Sequence, residues 1–74
     1  MRRFEIGKEY NVFNENEYSS WAHTVKCENR TAAYVILVEY DENDIAVKQY
    51  KRRIKSTSLT EYVYLTSDSI VWAD

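Results

Sequence analysis

Apolar side chains recur at every second position along most of this 74-residue chain, and this spacing constrains the fold more than any other feature. Successive side chains of a β-strand point to opposite faces, so a period of two predicts strands, whereas an amphipathic helix needs a period of about 3.6. The clearest run is residues 21–28, where one face carries Trp21, His23, Val25 and Cys27. No long stretch has helical spacing, so the pattern predicts an all-β chain.

Polar, turn-prone stretches divide the alternating pattern into five or six strands. The predicted strands span residues 8–13, 21–28, 31–40, 45–54, 62–65 and, as a sixth, 69–73. The third and fourth are joined by the hairpin turn Asp41-Glu42-Asn43-Asp44, in which Asn43 can take a positive φ without glycine. Short helices over residues 16–22 and 58–64 are the alternatives to this assignment. Strands at about ten-residue spacing predict one domain over residues 1–74, built as an antiparallel curved sheet or a small SH3-like barrel.

The single cysteine and the single histidine limit how a chain of this size can be stabilised. Domains this short bury only about 60–65% of their unfolded surface and often rely on disulfides or a metal. Cys27 has no partner for a disulfide within the chain, which favours a reducing compartment, and from the opening residues we expect no leader. The longest apolar run, residues 32–38, is far below the roughly 20 residues of a membrane span, so we expect a soluble, cytoplasmic protein.

Aromatic side chains make up 15% of the chain, as seven tyrosines, two tryptophans and two phenylalanines. Each ring can bury about 150–250 Å², which compensates for a small aliphatic core. These rings nevertheless exceed what so small a core can cover, so some must be exposed. Because tyrosine, tryptophan and arginine dominate binding hot spots, the surplus predicts a protein-interaction module.

Several short motifs follow one another in order along the chain. They are Phe4-Glu5-Ile6-Gly7-Lys8-Glu9-Tyr10, the strand Trp21–Val25, the step Arg30-Thr31-Ala32, the basic stretch 52–55 and the element Glu61–Leu65. In this order they resemble a group of short β-rich proteins from Gram-positive gut bacteria and their phages and mobile elements. Those relatives often carry further cysteines near the first loop and a proline near the C-terminus, which this chain lacks. The resemblance implies a small β fold and a context in which short proteins often inhibit host defence, including CRISPR systems, and it implies no catalytic residue.

Positive charge is concentrated in residues 48–55, although the whole chain has a net charge of −2. This block contains no acid, and its cations are Lys48, Lys51, Arg52, Arg53 and Lys55. One hypothesis is a nucleic-acid contact, because Lys48, Tyr50 and Arg52 share a strand face on which Tyr50 offers a stacking surface. The other cations lie on the opposite face, so a regular strand gathers them into no single patch. Alternatives are an edge strand protected by its charges against pairing, and a contact with an acidic protein surface.

Acidic side chains concentrate in two predicted connections, Glu15 and Glu17 in the first and Asp41, Glu42 and Asp44 in the second. If both lie at one end of a barrel, they form a negative patch that can occupy a phosphate-binding groove, as a nucleic-acid mimic does. The alternative is that they are solvated hairpin tips. The second connection lacks the glycine and the distal glutamate of an EF-hand, so we do not expect a calcium site.

The sequence contains no pattern typical of a cofactor, metal or catalytic site. His23 and Cys27 are four residues apart, which in a strand is about 13 Å, too far to share a metal or to pass a proton. We therefore expect no enzymatic activity and no cofactor. The hypothesis is a phage or mobile-element inhibitor, similar to anti-CRISPR proteins, that covers a surface of a host defence enzyme.

The sequence leaves the type of partner, the oligomeric state and an alternative function open. The partner can be a host protein or a protein–nucleic-acid complex, and the chain can also form a homodimer through an uncovered edge strand. The alternative function is a nucleic-acid-binding accessory protein that uses the basic strand at residues 48–55.

Overall fold

The computed structural model of the protein describes residues 1–14 and 23–74, which form strands and turns without a helix. The strands are β1 Glu9–Asn14, β2 His23–Arg30, β3 Tyr34–Tyr40, β4 Ala46–Arg53, β5 Lys55–Ser56, β6 Glu61–Thr66 and β7 Ser69–Trp72. They pair into one antiparallel sheet in the order β4-β3-β2-β1-β7-β6-β5, and this sheet curls into a half-barrel. The predicted all-β curved sheet is therefore confirmed.

Most strand boundaries differ from the prediction by one to three residues, and two of these differences have local causes. The fourth strand was predicted to end at residue 54, but β4 ends at Arg53, because after Ile54 the chain leaves β3. It then enters β5, which pairs with β6 and adds a seventh strand. The third strand begins at Tyr34 rather than at residue 31. Here Thr31 Oγ1 accepts hydrogen bonds from the N–H groups of Ala33 and Tyr34, at 3.2 and 3.0 Å, and closes a turn.

Three local predictions about turns and helices have different outcomes. In the β3–β4 turn the positive φ of 60° falls on Asp44, so the prediction for Asn43 is wrong. Residues 58–64 contain no helix, because Thr57 Oγ1 accepts the N–H groups of Leu59 and Thr60 in a turn before β6. The alternative helix over residues 16–22, the face position of Trp21 and the acidic pair Glu15 and Glu17 all lie outside the described residues.

The core fills the concave side of the curled sheet. Its strand residues, each at most 5% exposed, are Tyr10, Val12, Val25, Cys27, Val35, Leu37, Tyr50, Val63, Leu65 and Val71. Most are β-branched or aromatic, the residue types that suit a pleated and half-buried surface. Register shifts interrupt three of the ladders, at Cys27/Asn29, at Glu39/Tyr40 and at Tyr64/Thr66. Such bulges bend the strands and increase the twist, so they support the curvature of the half-barrel.

An ion pair at one end of the half-barrel holds the segment before β1, and we call this arrangement the Phe4 clamp. Arg30 donates to both carboxylate oxygens of Glu61, over 2.6 and 3.0 Å. Glu61 Oε1 also accepts the N–H of Phe4 at 2.8 Å, and Arg30 Nη1 donates to the Phe4 carbonyl at 3.0 Å. The Phe4 ring is 2% exposed and lies edge-on to Tyr10, with ring centroids 5.0 Å apart. This ring closes the end of the core.

Both charges of the Phe4 clamp are largely removed from water, since the side chains of Arg30 and Glu61 are 17% and 8% exposed. The hydrogen bond to Glu61 raises the pKa of Arg30. Burial raises the pKa of the Glu61 carboxyl, but the hydrogen bonds from Arg30 and from the Phe4 N–H outweigh burial, so this pKa lies below its usual value. The pair therefore stays ionised at neutral pH.

The strand connections separate into two ends of the half-barrel. Because consecutive strands are antiparallel, the end of β1, the start of β2, the β3–β4 turn and the β6–β7 turn lie together, and we call this the turn end. The Phe4 clamp lies at the other end. The open side lies between β4 and β6, which no backbone ladder joins in the described part of the chain.

Candidate functional site

The β3–β4 hairpin, residues 34–53, brings most of the predicted site residues together. Lys48, Tyr50, Arg52 and Arg53 lie in β4, and Asp41, Glu42 and Asp44 lie in the turn. Glu15 and Glu17, outside the described residues, are not tested. Among the described residues, the hairpin also carries four of the eight large apolar side chains that are exposed, namely Tyr34, Tyr40, Ile45 and Val47. The hairpin is therefore the candidate functional site.

The concave face of the hairpin carries what we call the inner stack, formed by Tyr50 between Lys48 and Arg52. Lys48 Nζ lies 5.1 Å and Arg52 Cζ 5.2 Å from the centre of the Tyr50 ring. Alternation along β4 places all three on one face, as predicted. This face is the concave one, however, and the Tyr50 ring is only 5% exposed. The prediction that Tyr50 offers an open stacking surface is wrong, because the ring is part of the core.

Arg52 joins the two strands that border the open side of the half-barrel. Its Nε donates to the carbonyl of Leu65 at 2.8 Å, and its Nη1 donates to the carbonyl of Lys51 at 3.0 Å. Leu65 is the extra residue of the β6 bulge, so its carbonyl stands outside the regular ladder with β7. The guanidinium of Arg52 thus satisfies backbone groups of the fold through its Nε and Nη1.

The convex face of the hairpin carries the outer stack, formed by Tyr34, Lys51 and Arg53. Lys51 Nζ lies 5.2 Å and Arg53 Cζ 5.9 Å from the centre of the Tyr34 ring. Tyr34 is directly opposite Arg53 in the ladder, and 39% of its surface is exposed. This is the one place in the hairpin where an exposed ring lies beside two exposed cations.

Tyr34 was not among the predicted site residues, although a signal for it exists in the sequence. Counting back from the β3–β4 turn pairs residue 34 with residue 53, which places the ring among the cations on the opposite face to Tyr50. The bulge at Glu39/Tyr40 shifts the register near the turn, so residues 34 and 53 can be paired by counting only if the position of the bulge is known. The turn sequence alone does not reveal the bulge.

The acidic turn has one residue that organises the backbone and two that face water. Asp41 Oδ1 accepts the N–H groups of Asn43 and Ile45, at 2.9 and 3.0 Å, so its carboxylate stabilises the turn. Glu42 and Asp44 are exposed. The turn lies at the turn end, together with the last residue of β1 and the first of β2. Glu15 and Glu17 themselves lie outside the described residues, so the negative patch of the mimic hypothesis stays a prediction.

His23 and Cys27 both lie on the concave face of β2 but form no reactive pair. Cys27 is fully buried, and burial raises the pKa of its thiol, which disfavours the nucleophilic thiolate. His23 lies near the turn end, where its Nε2 is 3.1 Å from Glu39 Oε1 without hydrogen-bond geometry. Among residues 1–14 and 23–74, no three His, Cys, Asp or Glu side chains are grouped so that they could hold a metal ion.

A second group of aromatic rings lies on the convex face of β6 and β7. The rings of Tyr62 and Trp72 have centroids 4.8 Å apart, and Tyr62 meets Tyr64 edge-on at 5.9 Å. Of the nine aromatic residues that the structure describes, only Phe4, Tyr10 and Tyr50 are buried. The predicted surplus of rings over core is therefore confirmed for the described part of the chain.

No protein-family model matches the chain, and the searches of curated proteins and of solved structures also find no match. The resemblance to small phage and mobile-element proteins therefore stays a prediction. The described segments contain no helix long and apolar enough to span a membrane.

Proposed function

We propose that the chain is a protein-interaction module that binds its partner through the convex side of the β3–β4 hairpin. The observation that carries this proposal is the outer stack, in which an exposed tyrosine lies between a lysine and an arginine. Tyrosine and arginine are enriched in the few residues that supply most of the energy of an interface. The exposed Ile45 and Val47 of the same hairpin extend this surface with apolar area.

We expect the contacts of Lys51 and Arg53 with the Tyr34 ring to restrict this ring in the free protein, which suits the outer stack to binding. Less side-chain entropy is then lost when a partner covers the ring. Lys51 and Arg53 contact the ring and keep their charges exposed to water, which steers an acidic partner surface toward the hairpin. By contrast, the charges of the inner stack act within the fold.

The proposed mechanism is occlusion, in which the module covers a functional surface of its partner and performs no reaction. The proposed partner is a cytoplasmic host defence enzyme or its complex with nucleic acid, and the module would then act as a phage or mobile-element inhibitor of the anti-CRISPR kind. The basis for this partner is the family resemblance. The acidic turn, at the opposite end of the hairpin from the outer stack, would add a repulsive contact that excludes nucleic acid from the covered surface.

The second candidate is a nucleic-acid-binding accessory protein, and a specific observation favours it. The stacking ring that this function needs is present at Tyr34, beside the cations Lys51 and Arg53, although not at the predicted Tyr50. A nucleic-acid complex made by such a surface would weaken steeply with salt, because phosphate contacts release counterions. A protein complex anchored by a tyrosine ring would lose much less affinity.

The test is affinity capture from the lysate of a Gram-positive gut bacterium with the tagged chain and two matched variants. Tyr34→Ala removes the ring of the outer stack, and Tyr64→Ala removes a ring of similar exposure, 44% against 39%, from the other convex face. We expect wild type and Tyr64→Ala to enrich the same polypeptide and Tyr34→Ala to lose it. Recovery of nucleic acid without an enriched polypeptide would contradict the proposal, and loss only with Tyr64→Ala would move the interface to β6 and β7.

A further inference from the structure

The outer edge of β4 carries backbone groups that no other described residue satisfies. The Ile54 N–H donates to the Ala33 carbonyl at 2.8 Å, which fixes the alternation of the β3–β4 ladder. In an antiparallel ladder every second residue points its N–H and C=O toward the partner strand, so residues 48, 50 and 52 face β3. Gln49 and Lys51 therefore face away from β3. Only the Lys51 carbonyl has a partner there, Arg52 Nη1.

The half of β4 nearest the turn is exposed on both of its faces. Residues 46–49 are all exposed, whereas Tyr50 is buried and Arg52 reaches across to β6. An extended chain can therefore approach this edge from outside without displacing a described strand. The other edge of the sheet, β5, has only two residues. Unpaired edges of this kind are the sites at which partner strands are added to a sheet.

The charge of the strand selects among the chains that could pair with it. Residues 46–53 contain four cations and no acid, with Lys48 on the concave face and Lys51 and Arg53 on the convex face. A second copy of β4 would bring four more cations against these, which disfavours a homodimer through this edge. An acidic segment is complementary. Because cations lie on both faces, its carboxylates would stand at adjacent positions rather than at alternate ones.

We infer that the β4 edge from Val47 to Lys51 binds an extended acidic segment of the partner as an added strand of the sheet. This inference rests on the proposed function and names the chemistry of the partner. The Gln49 N–H, the Gln49 carbonyl and the Lys51 N–H form the backbone hydrogen bonds. Lys48, Lys51 and Arg53 pair with the carboxylates, and the adjacent outer stack covers the partner beside the new strand.

The test uses the full chain and calorimetric titration with synthetic peptides that have blocked ends. The first is a nine-residue peptide of valine and threonine with two central Glu-Glu pairs; the second replaces each glutamate by glutamine. The third keeps the glutamates but carries methyl groups on its central backbone nitrogens, which prevents strand pairing and preserves charge. We expect the first peptide to bind and the other two to bind about tenfold more weakly or worse.

A proline variant tests the same edge from the side of the protein. Gln49→Pro removes an N–H that points away from β3, so the ladder with β3 is kept, and circular dichroism checks the fold. We expect it to weaken the first peptide about tenfold. Lys51→Glu should do the same through charge. Lys8→Glu makes an identical change in net charge far from β4 and should bind as wild type does.

The outcomes separate this inference from the proposed function. Equal binding of the methylated and unmethylated acidic peptides, or normal binding by a folded Gln49→Pro variant, would overturn strand addition and leave a protein-binding hairpin intact. Binding of single-stranded oligothymidine with no binding of the acidic peptide would overturn both. Failure of every peptide while the lysate polypeptide is still lost with Tyr34→Ala would overturn strand addition alone.

Discussion

The inner and outer stacks are built from the same residue types on opposite faces of the β3–β4 hairpin, but they have different roles. Both take their cations from β4, whereas Tyr50 lies in β4 and Tyr34 in β3. In each, a tyrosine ring lies about 5–6 Å from a lysine and an arginine of β4. Tyr50 is buried and Arg52 is bonded to two backbone carbonyls, whereas Tyr34 is exposed and its cations face water. The comparison teaches that the curl of the sheet, and not the composition of the strand, decides which charges stabilise the fold and which remain for a partner.

The largest expected difference between the stacks concerns their rings. Removing a buried aromatic ring costs about 3–5 kcal/mol, a large share of the about 4–11 kcal/mol expected for a domain of this size. Tyr50→Ala should therefore lower the free energy of unfolding by about 3–5 kcal/mol, whereas Tyr34→Ala should change it by less than about 1 kcal/mol. Urea denaturation followed by circular dichroism measures both. Similar losses for the two variants would remove the distinction between the stacks.

A second prediction extends the comparison to another cation on the concave face, Arg30 of the Phe4 clamp. Glu61→Gln leaves a largely buried guanidinium without its anion, which should cost about 3 kcal/mol. Because the pKa of Glu61 is lowered by folding, its contribution is complete above the unfolded pKa of about 4.3 and is lost as the pH falls through the folded value. Thermal melts between neutral and acid pH should thus decline less for Glu61→Gln than for wild type. An equal decline would show that other carboxylates control acid unfolding.

Arg52 and Arg53 provide the third comparison, which is the most direct because the two residues are adjacent in the sequence. Arg52→Ala leaves the Leu65 carbonyl without its donor and should cost about 1–3 kcal/mol. Arg53→Ala should stay within about 0.5 kcal/mol of wild type, because its side chain is exposed. Partner capture should show the reverse order of effects. A stable Arg52→Ala variant would mean that the contact with β6 contributes little to closing the half-barrel.

The smallest expected effect is the coupling within the outer stack itself. An exposed cation–π pair contributes about 0.5–1 kcal/mol. A double-mutant cycle with Tyr34→Leu and Lys51→Gln, measured by urea denaturation, should give a coupling energy near the lower figure. A coupling of zero would indicate that the ring is not held in place before binding.

Alternation along the chain was enough to predict the sheet and the sharing of faces, but not the direction of curl. It placed Lys48, Tyr50 and Arg52 on one face correctly, but the hypothesis that Tyr50 offers a stacking surface there was wrong, because this face is the concave one. The side depends on Leu65 and on the corner at Ile54, which are contacts between strands rather than properties of one strand. The acidic turn was predicted by its residue types, although its positive φ fell one residue later.

The Phe4 clamp was beyond sequence reasoning for a related reason. Its members are separated by 26, 31 and 57 positions, and no periodic pattern links them. Arg30 and Glu61 read individually as ordinary surface charges. Only their convergence on one buried backbone segment gives them a structural role.

The same sequence separations determine the order in which contacts form during folding. Contacts between distant positions form late, because a long loop must close first. The segment around Phe4 is synthesised before β6, yet the carboxylate that holds it belongs to Glu61 of β6, 57 positions later. During translation this segment therefore stays without its anchor until β6 has left the ribosome, and only then can the Phe4 ring close this end of the core.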